Sequence, residues 1–187
     1  MLQLDQERLE GQLSVVYDLY RDALLNRKYY GDRLAAYQRW NTLVELVVAL
    51  GTSAGVGGLV FWQTDFGRIA WATVAGAAVV IGVVKTVLQL SQKIERYSKL
   101  YTSHSVSYAE LDRLVSQIRA HQGITDQILD SFFDTQRKFH LLASEDDPHP
   151  SSRLALKYYN KINEEIPPEY FWMPRHLETE SPLASSS

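Results

Sequence analysis

Two apolar stretches in the middle of the chain constrain its fold more than any other feature. From Leu43 to Trp62 the only ionisable residue in 20 positions is Glu45, and from Ile69 to Leu88 the only one is Lys85. About 20 residues of helix, rising 1.5 Å each, match a hydrocarbon core of roughly 30 Å. The six residues Gln63 to Arg68 leave room only for a tight connection. The sequence therefore predicts an all-α membrane protein: a two-helix transmembrane hairpin over 42–90, with helices at 42–62 and 69–90. Arg27, Lys28, Arg33 and Arg39 precede the first stretch, and Lys93, Arg96 and Lys99 follow the second; the loop has only Arg68. Positive-inside bias then predicts a multi-pass membrane protein with both termini cytoplasmic. Trp62, Phe66 and Trp71 at the loop end, and Tyr37 and Trp40 at the other, have the placing of aromatic belts. The competing reading of such a pair is a buried helical hairpin, which seldom needs apolar residues on every face for 20 positions.

Within the hairpin, Glu45 and Lys85 fall at nearly equal depth, so they are candidates for pairing or for two tolerated interfacial charges. At 100° per residue, Glu45, Ala49, Thr52, Val56 and Gln63 share one face of the first helix, and Gly51, Gly55 and Gly58 lie roughly 110° away. Glu45, Thr52, Gln63 and Lys85 are thus the candidates for lining a pore or carrying charge in the membrane. Gly51 and Gly55, with Gly58 and, in the second helix, Gly76 and Gly82, are the candidates for close helix packing within the hairpin or between copies.

The flanks read as long amphipathic helices. Leu9, Leu13, Val16, Tyr20, Ala23, Arg27, Tyr30, Leu34 and Tyr37 recur at alternating spacings of four and three, the seam of a coiled coil or bundle helix broken only by Arg27. Gly31 is the one glycine or proline between Gln12 and Asn41. That predicts an N-terminal cytoplasmic helix over 1–41 that continues into the membrane. Val87, Leu90, Ile94, Tyr97 and Tyr101 carry the same spacing out of the second stretch, so the two arms should pack as an antiparallel pair. Thr102 to Ser105 predicts a loosening of the helix, with Ser107 to Glu110 as a capping box restarting it. Tyr108, Leu111, Val115 and Ile118 keep the phase, which is equally compatible with an unbroken helix. Gly123 marks a turn before an amphipathic run over Ile124 to Leu142.

Beyond Ser144-Glu-Asp-Asp-Pro-His-Pro-Ser a short helix is predicted over Arg153 to Glu165. Ile166-Pro-Pro-Glu-Tyr-Phe-Trp-Met-Pro174 then stops it with two prolines and an aromatic cluster that must be buried against the arms or touch a partner. The helical cytoplasmic region is placed at 91–177. The serine-, proline- and glutamate-rich 178–187 reads as a disordered tail.

Composition removes several functions. The net charge of −3 and the lack of a basic stripe argue against nucleic acid as a partner. With no cysteine there is no disulfide, thiolate metal site or cysteine nucleophile. The first ten residues carry Asp5, Glu7 and Arg8 and no apolar core, so no cleavable signal peptide is expected. Gly51 to Gly58 lies inside an apolar helix and is not a phosphate loop. His104, His121, His140, His149 and His176 show no i, i+4 pairing and no H-E-x-x-H pattern, so each reads as a surface or seam residue. No catalytic, metal-binding or cofactor-binding constellation is expected, and the chain reads as a non-enzyme.

The arm ending in Tyr37-Gln-Arg-Trp40, the glycine-rich first stretch, the tight turn, the alanine- and glycine-rich second stretch and the helical tail resemble the SLATT family. Ala155-Leu-Lys-Tyr-Tyr-Asn-Lys-Ile-Asn163, followed by Ile166-Pro-Pro168, is similar to that family's carboxyl-terminal element. These are bacterial two-transmembrane effector domains found with nucleotide-second-messenger synthases and SLOG-type sensors. The resemblance covers roughly 15–170 and implies an effector of antiviral defence. On a nucleotide signal it would oligomerise in the inner membrane, forming a pore or disrupting the bilayer, and arrest growth. It implies the lipid bilayer, further copies of the chain and a neighbouring synthase or sensor as partners. The alternative is a non-conducting membrane scaffold whose helical bundle docks a partner protein.

Overall fold

The computed structural model describes residues 2–61, 89–147 and 150–174, with 65–67, 69, 73, 76, 77, 80 and 83 between the first two; side chains are described at all of these except 2–5, 50–61 and 168. The long seam yields a single helix, α1, over Leu2–Phe61. Helix α2 (Leu90–His121) runs beside it, followed by α3 (Asp126–Ala143) and α4 (Ser152–Glu165), with a short 3-10 turn at Pro168–Tyr170; the described residues between 65 and 83 are also helical. Pairs of side chains fix the register of α1 and α2. Tyr37 stacks on Tyr97 at one end, Tyr30 stacks on His104 in the middle and Tyr20 bonds to Asp112 at the other, so the helices run antiparallel. α3 packs mainly on α2, and α4 on α1.

The seam pattern explains which residues are inside. Leu13, Val16, Tyr20, Ala23 and Tyr30 are buried, and Leu9, Leu34 and Tyr37 pack against the core from its edge. Arg27, the polar break in the seam, is only half-buried and lays its guanidinium over the Tyr108 ring, 5.0 Å from the centroid. Gly31 serves a close approach: a Cβ there would sit 3.2 Å from Cε2 of Tyr101 on α2. α1 also buries Tyr17, Leu19, Leu24 and Tyr29, residues off the seam, because α3, α4 and the segment after α4 cover further faces. Each fully buried large apolar side chain contributes about 1.5–3 kcal/mol, so this wrapping is the main source of stability.

Two local expectations change. α2 is unbroken through Thr102 to Ser105, and Ser107 is a buried mid-helix residue with no capping role. A cap needs extended backbone, whereas His104, Ser107 and Leu111 must share one helical face to meet the core. At the other end of α2 the turn marked by Gly123 is made by its neighbour: Gln122 takes the left-handed conformation (φ 49°), and the Gly123 N–H donates to the carbonyl of Ile118. The helix over Ile124 to Leu142 starts two residues later, with Thr125 as N-cap accepting from the Ile128 N–H. The aromatic cluster after α4 folds back on α1. Tyr17 stacks on Phe171 at 4.1 Å and donates to the Trp172 carbonyl at 2.6 Å.

The membrane fold class is corrected. Among the described residues the regular structure is helical, with no strand, and no helix is long and apolar enough to cross a membrane. Past Tyr37, the described side chains of α1 run only from Gln38 to Ala49 and include Arg39, Asn41 and Glu45. Twelve residues make about 18 Å of helix against a core of roughly 30 Å. The remainder of the first expected span, and most of the second, falls outside the described side chains. The two-helix transmembrane hairpin, the multi-pass inner-membrane location with cytoplasmic termini and the pore-forming role are therefore withdrawn. The helical bundle of the flanks stays. α1 passes without interruption through the expected boundary at 41/42, while α2 begins after a left-handed break at Gln89 (φ 48°). Residues 178–187, the expected disordered tail, lie outside the described residues.

Candidate functional site

The α3–α4 connection, Ser144 to Ser151, is tied to the middle of the α1–α2 pair by polar side chains. The carboxylates of Asp146 and Asp147 face inward. Asp147 accepts from the Tyr97 hydroxyl at 2.6 Å and from Nη2 of Arg33 at 3.0 Å, and its backbone N–H donates to the Tyr30 hydroxyl at 3.2 Å. Asp146 Oδ1 lies 3.0 Å from Nε2 of His104. Arg96 donates to the carbonyls of Glu145 and Asp146, Lys99 pairs with Glu145 at 2.8 Å, and the Ser151 N–H donates to the Tyr29 hydroxyl at 2.9 Å. A loop whose backbone would otherwise need water is thus satisfied by side chains from two helices.

His104 is fully buried, with the Tyr30 ring stacked on it at 5.0 Å and Phe139 meeting it edge-on at 5.7 Å. Its Nδ1 has no hydrogen-bond partner among the described residues. A His–carboxylate pair resembles part of a general-base arrangement, but a base must reach the proton it takes. This imidazole is sealed from solvent, so the pair positions the loop. Burial also raises the phenols that hold the loop. Tyr97 is pushed up to about 12 by burial and by donating to Asp147, against the opposing pull of Arg33, and Tyr30 is raised further. Both hydroxyls remain neutral at any physiological pH.

Beside this clasp, α1 and the start of α4 enclose an open cleft of about 610 Å³ lined by Asp32, Arg33, Ala35, Ala36, Arg39, Ser151, Arg153, Leu154 and Lys157. It is a place on the described surface where a ligand could sit against converging charged groups. No cluster of His, Asp and Glu able to hold a metal occurs among the described residues.

The sequence-predicted site residues do not converge on either feature. Glu45 lies on α1, exposed, and accepts from Asn41 at 2.9 Å. Thr52, Gly51, Gly55 and Gly58 belong to the last turns of α1, where side chains are not described; Gln63, Lys85 and Gly82 lie outside the described residues. Gly76 is helical and exposed, and a Cβ added there would meet nothing within 4 Å. Sequence reasoning missed Asp146, Asp147 and His104, whose partners are 42 to 117 positions away. The acidic pair ahead of two prolines was the available signal, but a loop carboxylate is ordinarily solvated.

No family model, curated protein or solved structure matches the chain.

Proposed function

We propose that this chain is a non-enzymatic helical effector that acts by association with further copies of itself through an exposed apolar stripe of α1 near the start of α2. One observation carries the reading. The register of α1 and α2 sets Leu90, where α2 begins, about level with Leu43. At that point Trp40, Leu43 and Leu46 are 64%, 54% and 55% exposed. They form a stripe beside the intramolecular seam, whose continuation at Asn41, Val44 and Val48 is less exposed. Apolar side chains grouped in this way mark an interaction surface. A second copy suits it because Arg39 and Glu45 are the only charges from Gln38 to Ala49, leaving little charge pattern to select a different partner. An isologous pairing needs only a patch that is complementary to itself. The resemblance to the SLATT family supplies the setting: an effector in antiviral defence whose assembly follows a nucleotide signal and ends in growth arrest.

The absence of cysteine makes the test direct. Leu43→Cys introduces a single thiol in the stripe, and mild oxidation of the full chain should give a disulfide-linked dimer in high yield. Ser116→Cys, on the exposed face of α2, should give none. A Leu43→Cys chain that stays monomeric would overturn the proposal. So would equal cross-linking through Ser116→Cys, or capture by lipid vesicles with no linkage in solution.

A further inference from the structure

The cleft between α1 and α4 gathers cations that its own lining does not balance. The chain as a whole is acidic, 22 Asp and Glu against 19 Lys and Arg, yet the cleft is lined by Arg33, Arg39, Arg153 and Lys157 against Asp32 alone. Two of the four cations have commitments: Arg33 to Asp147 at 3.0 Å, and Lys157 to Asp32 at 3.5 Å. Arg39 and Arg153, one from each helix, have no hydrogen-bond or ion-pair partner among the described residues, and both are exposed. Holding such groups around one cavity is repulsive unless an anion occupies it. Arginine forks suit phosphate oxygens, to which they can donate two parallel bonds. The first turn of α4, which forms part of the wall, carries no acidic residue, and the Ser151 side chain makes no capping bond there. A volume of about 610 Å³ falls in the range of small-molecule sites and exceeds what a single phosphate needs.

We propose that this cleft binds a soluble anion carrying two or more phosphate groups, with Arg39 and Arg153 gripping it from the two helices and Lys157 completing the charge match. The site lies on the bundle and is independent of the self-association proposed for the α1 stripe.

Titration calorimetry on the full chain at low salt tests it, with pyrophosphate, ATP and inorganic phosphate as the probes. Pyrophosphate and ATP should both bind, and inorganic phosphate should bind at least about tenfold more weakly, since it reaches fewer of the cations. The double variant R39Q/R153Q should weaken pyrophosphate binding by more than about tenfold while keeping the helical circular dichroism of the parent, and R113Q, an exposed arginine of α2 outside the cleft, should leave it unchanged. Stronger binding of ATP than of pyrophosphate would identify a nucleotide as the source of the phosphates, and equal binding would identify the phosphates alone; either supports the site. The proposal is overturned if neither pyrophosphate nor ATP binds at millimolar concentration, or if R39Q/R153Q binds as well as the parent. Attachment to phosphatidylglycerol vesicles without binding to either soluble probe would also overturn it.

Discussion

Asp147 shows how much of this molecule depends on single side chains meeting across long stretches of sequence. Its carboxylate, only 10% exposed, joins Tyr97 of α2 to Arg33 of α1, and both donors also touch each other at 3.0 Å. Replacing it with alanine removes two bonds to a charged acceptor and leaves Arg33 half-buried without its carboxylate. The expected loss is about 2–4 kcal/mol, read as a lower urea midpoint with unchanged slope. Tyr97→Phe, which deletes one bond of the same network, should cost about 1–2 kcal/mol and add less than fully to Asp147→Ala. The buried tyrosines make a second prediction. Burial pushes Tyr17, Tyr97 and Tyr158 up to about 12, with Arg119 pulling Tyr17 down and hydrogen bonding to Asp147 and Asp32 raising the other two. Because each folded value lies above the ordinary 10, their contribution to stability is complete below pH 10 and is lost as pH rises through 12. The phenolate absorbance of these three should therefore appear together with the loss of helical circular dichroism. Early, fully reversible ionisation in the folded state would contradict the packing described. None of these pairings was legible in the sequence, since alternation of four and three marks which tyrosines face inward but not what their hydroxyls meet.

At the scale of elements the sequence was far more informative. The seam from Leu9 to Tyr37 predicted a long helix and its buried face because hydrophobic period is a local property, and packing on α2 is what that period serves. Of the two readings open at Thr102 to Glu110, a restart at Ser107 or an unbroken helix, the structure takes the second: a capping signal is weak, worth about 1 kcal/mol, and the burial of His104 and Leu111 on either side outweighs it. Gln122 was missed because glycine usually takes the left-handed position at a helix end, and the glycine here stands one residue later. That displacement has a measurable consequence. Gln122→Gly should raise stability by roughly 0.5–1 kcal/mol, the relief of a left-handed non-glycine residue less the added freedom of the unfolded chain. A thermal midpoint that falls instead would show that the Gln122 side chain contributes more than its backbone costs.

For the molecule as a whole, the described residues separate a wrapped part of α1 from an exposed apolar stripe. α2, α3, α4 and the Phe171 and Trp172 segment enclose α1 from about Leu9 to Tyr37, and beyond that the same helix presents Trp40, Leu43 and Leu46 outward. The apolar character of this stretch was plain in the sequence, but its assignment to a membrane-crossing hairpin is not what the described residues show. An apolar period identifies a surface that must be covered without naming what covers it. The candidate cleft was also invisible beforehand, because Arg39 and Arg153 are more than a hundred positions apart and meet only when α4 docks on α1. Sedimentation velocity of the full chain, across a range of concentrations in detergent-free buffer, tests self-association through the α1 stripe most directly. The account predicts a reversible dimer or larger species for the parent and a monomer of unchanged helicity for the W40Q/L43Q/L46Q variant. A parent that sediments as a monomer throughout, or a variant that associates as the parent does, would contradict it.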